Sequence, residues 1–94
     1  MTNQETLLLW IYDRYPDRPF KTSDLKEYAY KHMTNRADRD KRILVEDNFL
    51  RRLKRVEDER ERESYGYIGG KEDMYILTDL GKREIKSLGQ MQLF

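Results

Sequence analysis

Apolar residues recur along this chain with two different periods, and the alternation between them predicts the elements. Behind "TNQE", Thr2 to Glu5, the residues Leu8, Ile11, Tyr12 and Tyr15 return at helical spacing. Thr2 and Glu5 have the capping-box form, in which each side chain satisfies the other residue's free backbone N–H. A first helix to about Arg14 follows, stopped by Pro16 and Pro19. "RPFKT" reads as a short extended piece ending at Thr22, the N-cap of a second helix through about Lys31 with Leu25, Ala29 and Met33 inward. "MTNRADRDKR" reads as a polar connector.

Val45, Phe49, Leu50, Leu53 and Val56 share one face at 3.6 residues per turn, which predicts a third helix over about 43–59. On that winding Asp47, Asn48, Arg51, Lys54 and Arg55 point outward, with Arg52 at the boundary. The period then shortens to alternation on both sides of Gly69-Gly70, which predicts strands near Glu63–Ile68 and Asp73–Leu77 joined by a tight turn. Thr78 caps a last helix whose inward positions are Gly81, Ile85 and Leu88. A glycine there permits close approach at some cost in helix propensity.

The predicted class is α+β, mainly α: three core helices, a two-stranded hairpin and a C-terminal helix within one domain, residues 1–94. "YILTDLGKREI" resembles the Tyr-x-Leu-Thr-x-x-Gly signature that closes the wing of PadR-type and MarR-type transcriptional regulators, and "VEDNFLRRLKRVEDE" is similar to their arginine-rich recognition helix. The resemblance covers nearly the whole chain and implies a winged helix-turn-helix that binds double-stranded DNA. The connector before the third helix is longer and more charged than is usual in those regulators. They also often place a Gly-Leu or Gly-Ile step after that helix, where this chain reads "DERERESYGYI".

Charge sharpens the reading. The net charge is only +1, but residues 36–55 carry eight basic side chains against four acidic ones, whereas 57–63 carry five acids against two arginines. A local basic excess suits a binding face. In a helix-turn-helix the second helix of the motif meets base edges. Asn48, Arg51 and Arg52, with Arg55 further along, are therefore the expected readers, since asparagine pairs with adenine and arginine with guanine. Arg36, Arg39, Lys41 and Arg42 are expected on the phosphate backbone, and Lys71 at the hairpin tip. The competing reading is a solvated face stitched by Asp47–Arg51 and Arg55–Glu59 pairs; Arg51 and Arg55 tucked under another element or locked among carboxylates would end the regulator reading and leave a plain scaffold role.

Catalysis has little support. His32 is the single histidine and there is no cysteine, so a zinc site would need carboxylates alone. Carboxylate neighbours such as Asp38/Asp40 and Asp58/Glu59 lie in charged segments where nothing would separate their pKa values. No enzyme activity, metal or cofactor is expected. The longest apolar run, Leu7 to Tyr12, is too short to span a bilayer and no basic-then-apolar leader opens the chain, so a cytoplasmic setting is expected. A homodimer on a palindromic site is the expected form, paired through Leu7-Leu8-Leu9-Trp10 and the tail residues Leu88, Met91, Leu93 and Phe94. The alternative function is a protein-interaction module that leaves DNA alone.

Overall fold

The computed structural model describes residues 1–91. It is an α+β structure, mainly helical, with one small antiparallel sheet. Helix α1 (Asn3–Arg14) starts as the capping box predicts: Thr2 Oγ1 accepts from Glu5 N at 3.1 Å and Glu5 Oε1 accepts from Thr2 N at 3.1 Å. Strand β1 (Phe20–Lys21) leads through a 3₁₀ turn (Thr22–Leu25) into α2 (Lys26–Lys31). Then come α3 (Ala37–Glu46), β2 (Leu50–Leu53), α4 (Glu59–Ser64), β3 (Met74–Leu77) and α5 (Asp79–Met91). The strand order is β1-β3-β2, with Phe20 opposite Tyr75 and Leu50 opposite Leu77.

The predicted helix over 43–59 does not form. Its first residues end α3, which occupies the segment expected to be a connector, and Leu50–Leu53 is a strand. The helix stops because Asn48 adopts a left-handed φ of 64°, a conformation asparagine tolerates better than most residues. Phe49 N then bonds Leu44 O at 2.9 Å and Asn48 N bonds Val45 O at 3.0 Å, the two bonds of a Schellman C-cap.

The apolar spacing misled because the sheet is covered on both faces. Along β2, Leu50 and Arg52 face one side and Arg51 and Leu53 the other. Leu50 joins the main core with Phe20, Leu77, Leu44 and the inner face of α1, while Leu53 joins a second cluster with Met74 and Ile76. A strand buried at both ends on opposite faces gives an i, i+3 pair of leucines that imitates a helix stripe.

The predicted strand Glu63–Ile68 is also absent. Glu59–Ser64 is helical, and β2 pairs with β3 across a 20-residue connection, 54–73, rather than a two-residue turn. Gly69 and Gly70 do take positive φ, 73° and 97°, but inside that connection. The inward position given to Met33 is overturned: it is 95 % exposed at φ 50°, closing α2 through a second Schellman pair, Thr34 N to Ala29 O and Met33 N to Tyr30 O. Leu25 and Tyr28 are the buried residues of that segment. Thr22 accepts a bond from Lys41 Nζ instead of capping, and Asp24 Oδ2 caps Lys21 N at 2.8 Å.

The strand-to-helix junction forms as expected. Thr78 Oγ1 accepts from Gly81 N at 3.0 Å and donates to Asn48 O at 2.5 Å, and Thr78 N donates to Phe49 O at 3.1 Å. A Cβ on Gly81 would collide with the Phe49 carbonyl oxygen and stand 3.1 Å from its carbon. The glycine lets α5 lie directly on the main chain that enters β2.

The surface proposed for dimer pairing is largely used within the chain. Leu7, Leu8, Trp10 and Leu88 are buried, and Leu93 and Phe94 lie outside the described residues. The side chain of Met91 is likewise not described. Among the described residues no helix is long and apolar enough to cross a membrane.

Candidate nucleic-acid interface

Helix α3 is held by its inner face, and that face is partly polar. Ala37 and Leu44 enter the core, and Asp40 and Lys41 are buried beside them at 3 % and 4 % exposure. Asp40 Oδ1 accepts from Gln4 Nε2 at 3.1 Å, tying α3 to α1. Lys41 Nζ donates to Thr22 Oγ1 at 2.7 Å, pairs with Asp38 at 2.9 Å and stands 4.2 Å from the centre of the Tyr75 ring. The ammonium therefore has a hydroxyl, a carboxylate and an aromatic face, as a buried cation needs. Its hydrogen bond holds the Asp38 carboxyl below the usual aspartate range. Lys41 is structural here, so its expected place on a phosphate backbone is corrected.

The outer face of α3 begins at Arg36, the N-cap residue, and continues through Arg39, Arg42 and Glu46 at helical spacing. All four are exposed. Arg42 Nε lies 3.6 Å from Asp38 Oδ2, a loose i,i+4 pair. Arg36 and Arg39 have no carboxylate partner among the described residues.

The residues expected to read bases are dispersed. Asn48 sits at the left-handed turn after α3, its carbonyl engaged by Thr78. Arg51, on β2, makes a two-pronged pair with Glu61 of α4, Nη1 to Oε1 at 3.2 Å and Nη2 to Oε2. That direct bond raises the Arg51 pKa from its already high ordinary value. Arg52 binds Asp73 through Nε at 2.7 Å and through Nη2, and Arg55 N donates to Asp73 Oδ1 at 2.8 Å. Three donors on one carboxylate hold it below the ordinary aspartate range, the Arg52 bond being the largest cause. Only the Arg55 side chain remains exposed and without a carboxylate among the described residues. Lys71 is exposed at the far end of the connection, next to Glu72, which accepts from Ser23 Oγ at 3.2 Å.

A recognition helix carrying Asn48, Arg51, Arg52 and Arg55 therefore does not exist. Arg51 and Arg52 fasten the β2–β3 connection to the sheet, Arg51 through α4 and Arg52 through Asp73. What stands together instead is Arg36, Arg39 and Arg42. The sequence places those three in a connector because its leading signal, the apolar stripe, starts only at Val45. The Asp47-Asn48 step, a turn-forming pair inside a predicted helix, was the available sign that α3 ends there.

Two features run against residue type. Tyr30 and Met33, at the α2–α3 turn, are 89 % and 95 % exposed. Arg62, within the acidic run, is 2 % exposed. His32 stacks on Tyr28 with ring centres 4.3 Å apart, and no group of three or more His, Cys, Asp or Glu side chains among the described residues is arranged to hold a metal. Comparison with protein-family models, with curated proteins and with solved structures finds no match for this chain.

Proposed function

We propose that this chain is a winged helix-turn-helix module that binds double-stranded DNA, with α3 entering the major groove and the β2–β3 connection forming an enlarged wing. The element order supports it: helix, short strand, helix, helix, strand, a long connection that carries the short helix α4, strand and a closing helix, with β1 on the outer edge of β3. The observation that carries the reading is the outer face of α3. Arg36 and Arg39 stand there free of carboxylates, while the protein neutralises Arg51 and Arg52 itself. Arginine forks suit guanine edges and phosphates alike, and the α3 N-terminal half is the part that approaches bases in such motifs. A transcriptional regulator working as a homodimer on a palindrome is the fuller form of the proposal, and its pairing surface must lie outside the buried Leu7–Trp10 run.

The test is selection of duplexes from a random pool, followed by binding measurements on Arg39→Ala and Arg51→Ala. Arg39→Ala is expected to weaken the selected duplex about ten-fold or more if it reads a base. If it meets a phosphate instead, the salt dependence of binding falls by about one unit. Arg51→Ala is expected to leave affinity unchanged. Absence of affinity for any duplex at low salt, or loss through Arg51 with Arg39 silent, ends this assignment of α3.

One observation favours a second reading, a protein-interaction module. An exposed tyrosine and methionine three residues apart at the α2–α3 turn are apolar surface that a partner protein would cover. Recovery of one stoichiometric protein from nuclease-treated extract, lost in Tyr30→Ser, would support it over DNA binding.

A further inference from the structure

We propose that the β2–β3 connection contains a receptor for a phosphate-type oxyanion, built on Arg62. This does not rest on DNA binding through α3.

Arg62 is among the most deeply buried side chains, yet its guanidinium is poorly satisfied. Nη2 donates to Gly69 O at a long 3.4 Å, and Nε and Nη1 are buried with no partner. A buried charge is retained only when something compensates it. The obvious carboxylates are engaged elsewhere, Asp73 by Arg52 and Arg55 N, and Glu61 by Arg51. Within the protein the guanidinium thus has donors to spare, and Glu59, the one carboxylate that lines its cleft, makes no hydrogen bond or ion pair with it among the described residues.

The surroundings supply the rest of a site. Arg62 lines a cleft of 210 Å³ together with Arg55, Val56, Glu59, Tyr67 and the Gly69-Gly70 step. That is room for a phosphate-sized ion and a few waters, and less than a drug-sized ligand requires. Gly70, at φ 97°, lies against the guanidinium so closely that a Cβ there would stand 3.1 Å from Nη2. Arg55, exposed and without a carboxylate among the described residues, brings a second positive charge to the rim. Arginine's planar fork of donors matches tetrahedral oxyanions. Glu59 opposes binding from the same rim, which makes it the side chain whose neutralisation should tighten the site.

The same chemistry is offered by free phosphate and by the phosphodiester of a nucleic-acid strand, and side-chain NMR separates them. The Arg62 Nε–H resonance and the Gly69 and Gly70 amides are followed while the intact chain is titrated with sodium phosphate, with sodium chloride at matched ionic strength as control. Saturable shifts with phosphate and none with chloride are expected. Affinity should fall about ten-fold in Arg55→Gln, rise in Glu59→Gln, and vanish in Arg62→Met. The two rim variants keep the test decisive if Arg62→Met loosens the connection. Competition by a short duplex at constant phosphate assigns the site to a phosphodiester, and indifference to duplex assigns it to the free ion. No saturable shift with either, identical shifts with chloride, or unchanged affinity in both rim variants overturns the proposal. Because free phosphate is the first probe, failure of duplex binding leaves this result independent.

Discussion

The two faces of the small sheet are covered by different physics. On one side Phe20, Leu50 and Leu77 meet α1, α3 and α5 in an apolar core that also takes in Leu7, Ile11 and Leu44. On the other, Leu53, Met74 and Ile76 with Tyr67 form a small cluster, and the connection 54–73 is fastened over it largely by polar links: Arg51 to Glu61, Lys54 N to Asp58, and Asp73 held by Arg55 N and, from the α3 side of the sheet, by Arg52. Burial on the first side scales with apolar area and is not weakened by charge screening. Exposed ion pairs on the second weaken as salt rises and carboxylates titrate. The helical core and the connection should therefore be separable: each should fail under conditions that spare the other.

The largest blow to the apolar side is expected from Gly81→Ala. The added Cβ meets the Phe49 main chain, which is held by the Schellman bond to Leu44 and by Thr78, so neither partner yields easily. A loss of about 2 kcal/mol is expected, within the usual range for overpacking and despite the helix propensity gained. Gly89→Ala is the control, since nothing lies within 4 Å of its position in the same helix. That change should stabilise by up to about 0.5 kcal/mol, less than alanine over glycine gains in a helix interior because Gly89 lies in the last turn of α5. Urea titrations of both variants check the contrast, and equal effects of the same sign would refute close packing at Gly81.

That junction was legible in the sequence because its chemistry is local. A capping threonine, a glycine three residues on and an i, i+4, i+7 stripe all act within two helical turns, and so does the Thr2/Glu5 box. Helix α3 and β2 read as one helix despite the local turn at Asp47-Asn48, because the burial that makes Leu50 and Leu53 look like a helix stripe is tertiary. Leu50 and Leu53 are both buried only because a 20-residue connection folds back over the far face, and nothing near residue 53 announces it. The pairing of Arg51 with Glu61 and of Arg52 with Asp73 likewise depends on that connection, so the sequence alone does not show that these two arginines are engaged within the chain. Arg36, Arg39 and Arg42 were visible as basic residues. Their helix was not, because its buried face carries Asp40 and Lys41 where an apolar stripe was sought.

On the ionic side a smaller and more local change is expected from acid. The Asp73 carboxyl is held below its ordinary value of 3.8, chiefly by Arg52. A group with a depressed folded pKa stabilises the fold above its unfolded value and loses that contribution as pH falls through the folded one. Residues 54–73 should therefore lose amide protection below about pH 4 in hydrogen exchange, while α1 and α3 remain protected. Asp73→Asn should produce the same local opening at neutral pH and leave the main transition nearly unmoved. Simultaneous loss of protection in both regions would show that the two sides of the sheet are one cooperative unit.

The smallest expected effect concerns the two left-handed caps, Met33 closing α2 and Asn48 closing α3. Asn48 tolerates that conformation through its short polar side chain; Met33, at φ 50°, does not, and pays about 1 kcal/mol for it relative to glycine. Met33→Gly should stabilise by somewhat under 1 kcal/mol, because glycine also raises the entropy of the unfolded chain, and Asn48→Gly by only a few tenths. Both Schellman bonds survive either change, so thermal melts read the backbone term almost alone. Strained non-glycine residues that persist on a surface tend to serve an interaction. If Met33 does so, Met33→Gly gains stability and loses affinity for whatever α3 binds, whereas Asn48→Gly alters neither by much. A Met33→Gly protein that is more stable and binds its selected duplex as tightly as the original would leave the side chain without a role at the interface, and would confine recognition to the arginines of α3.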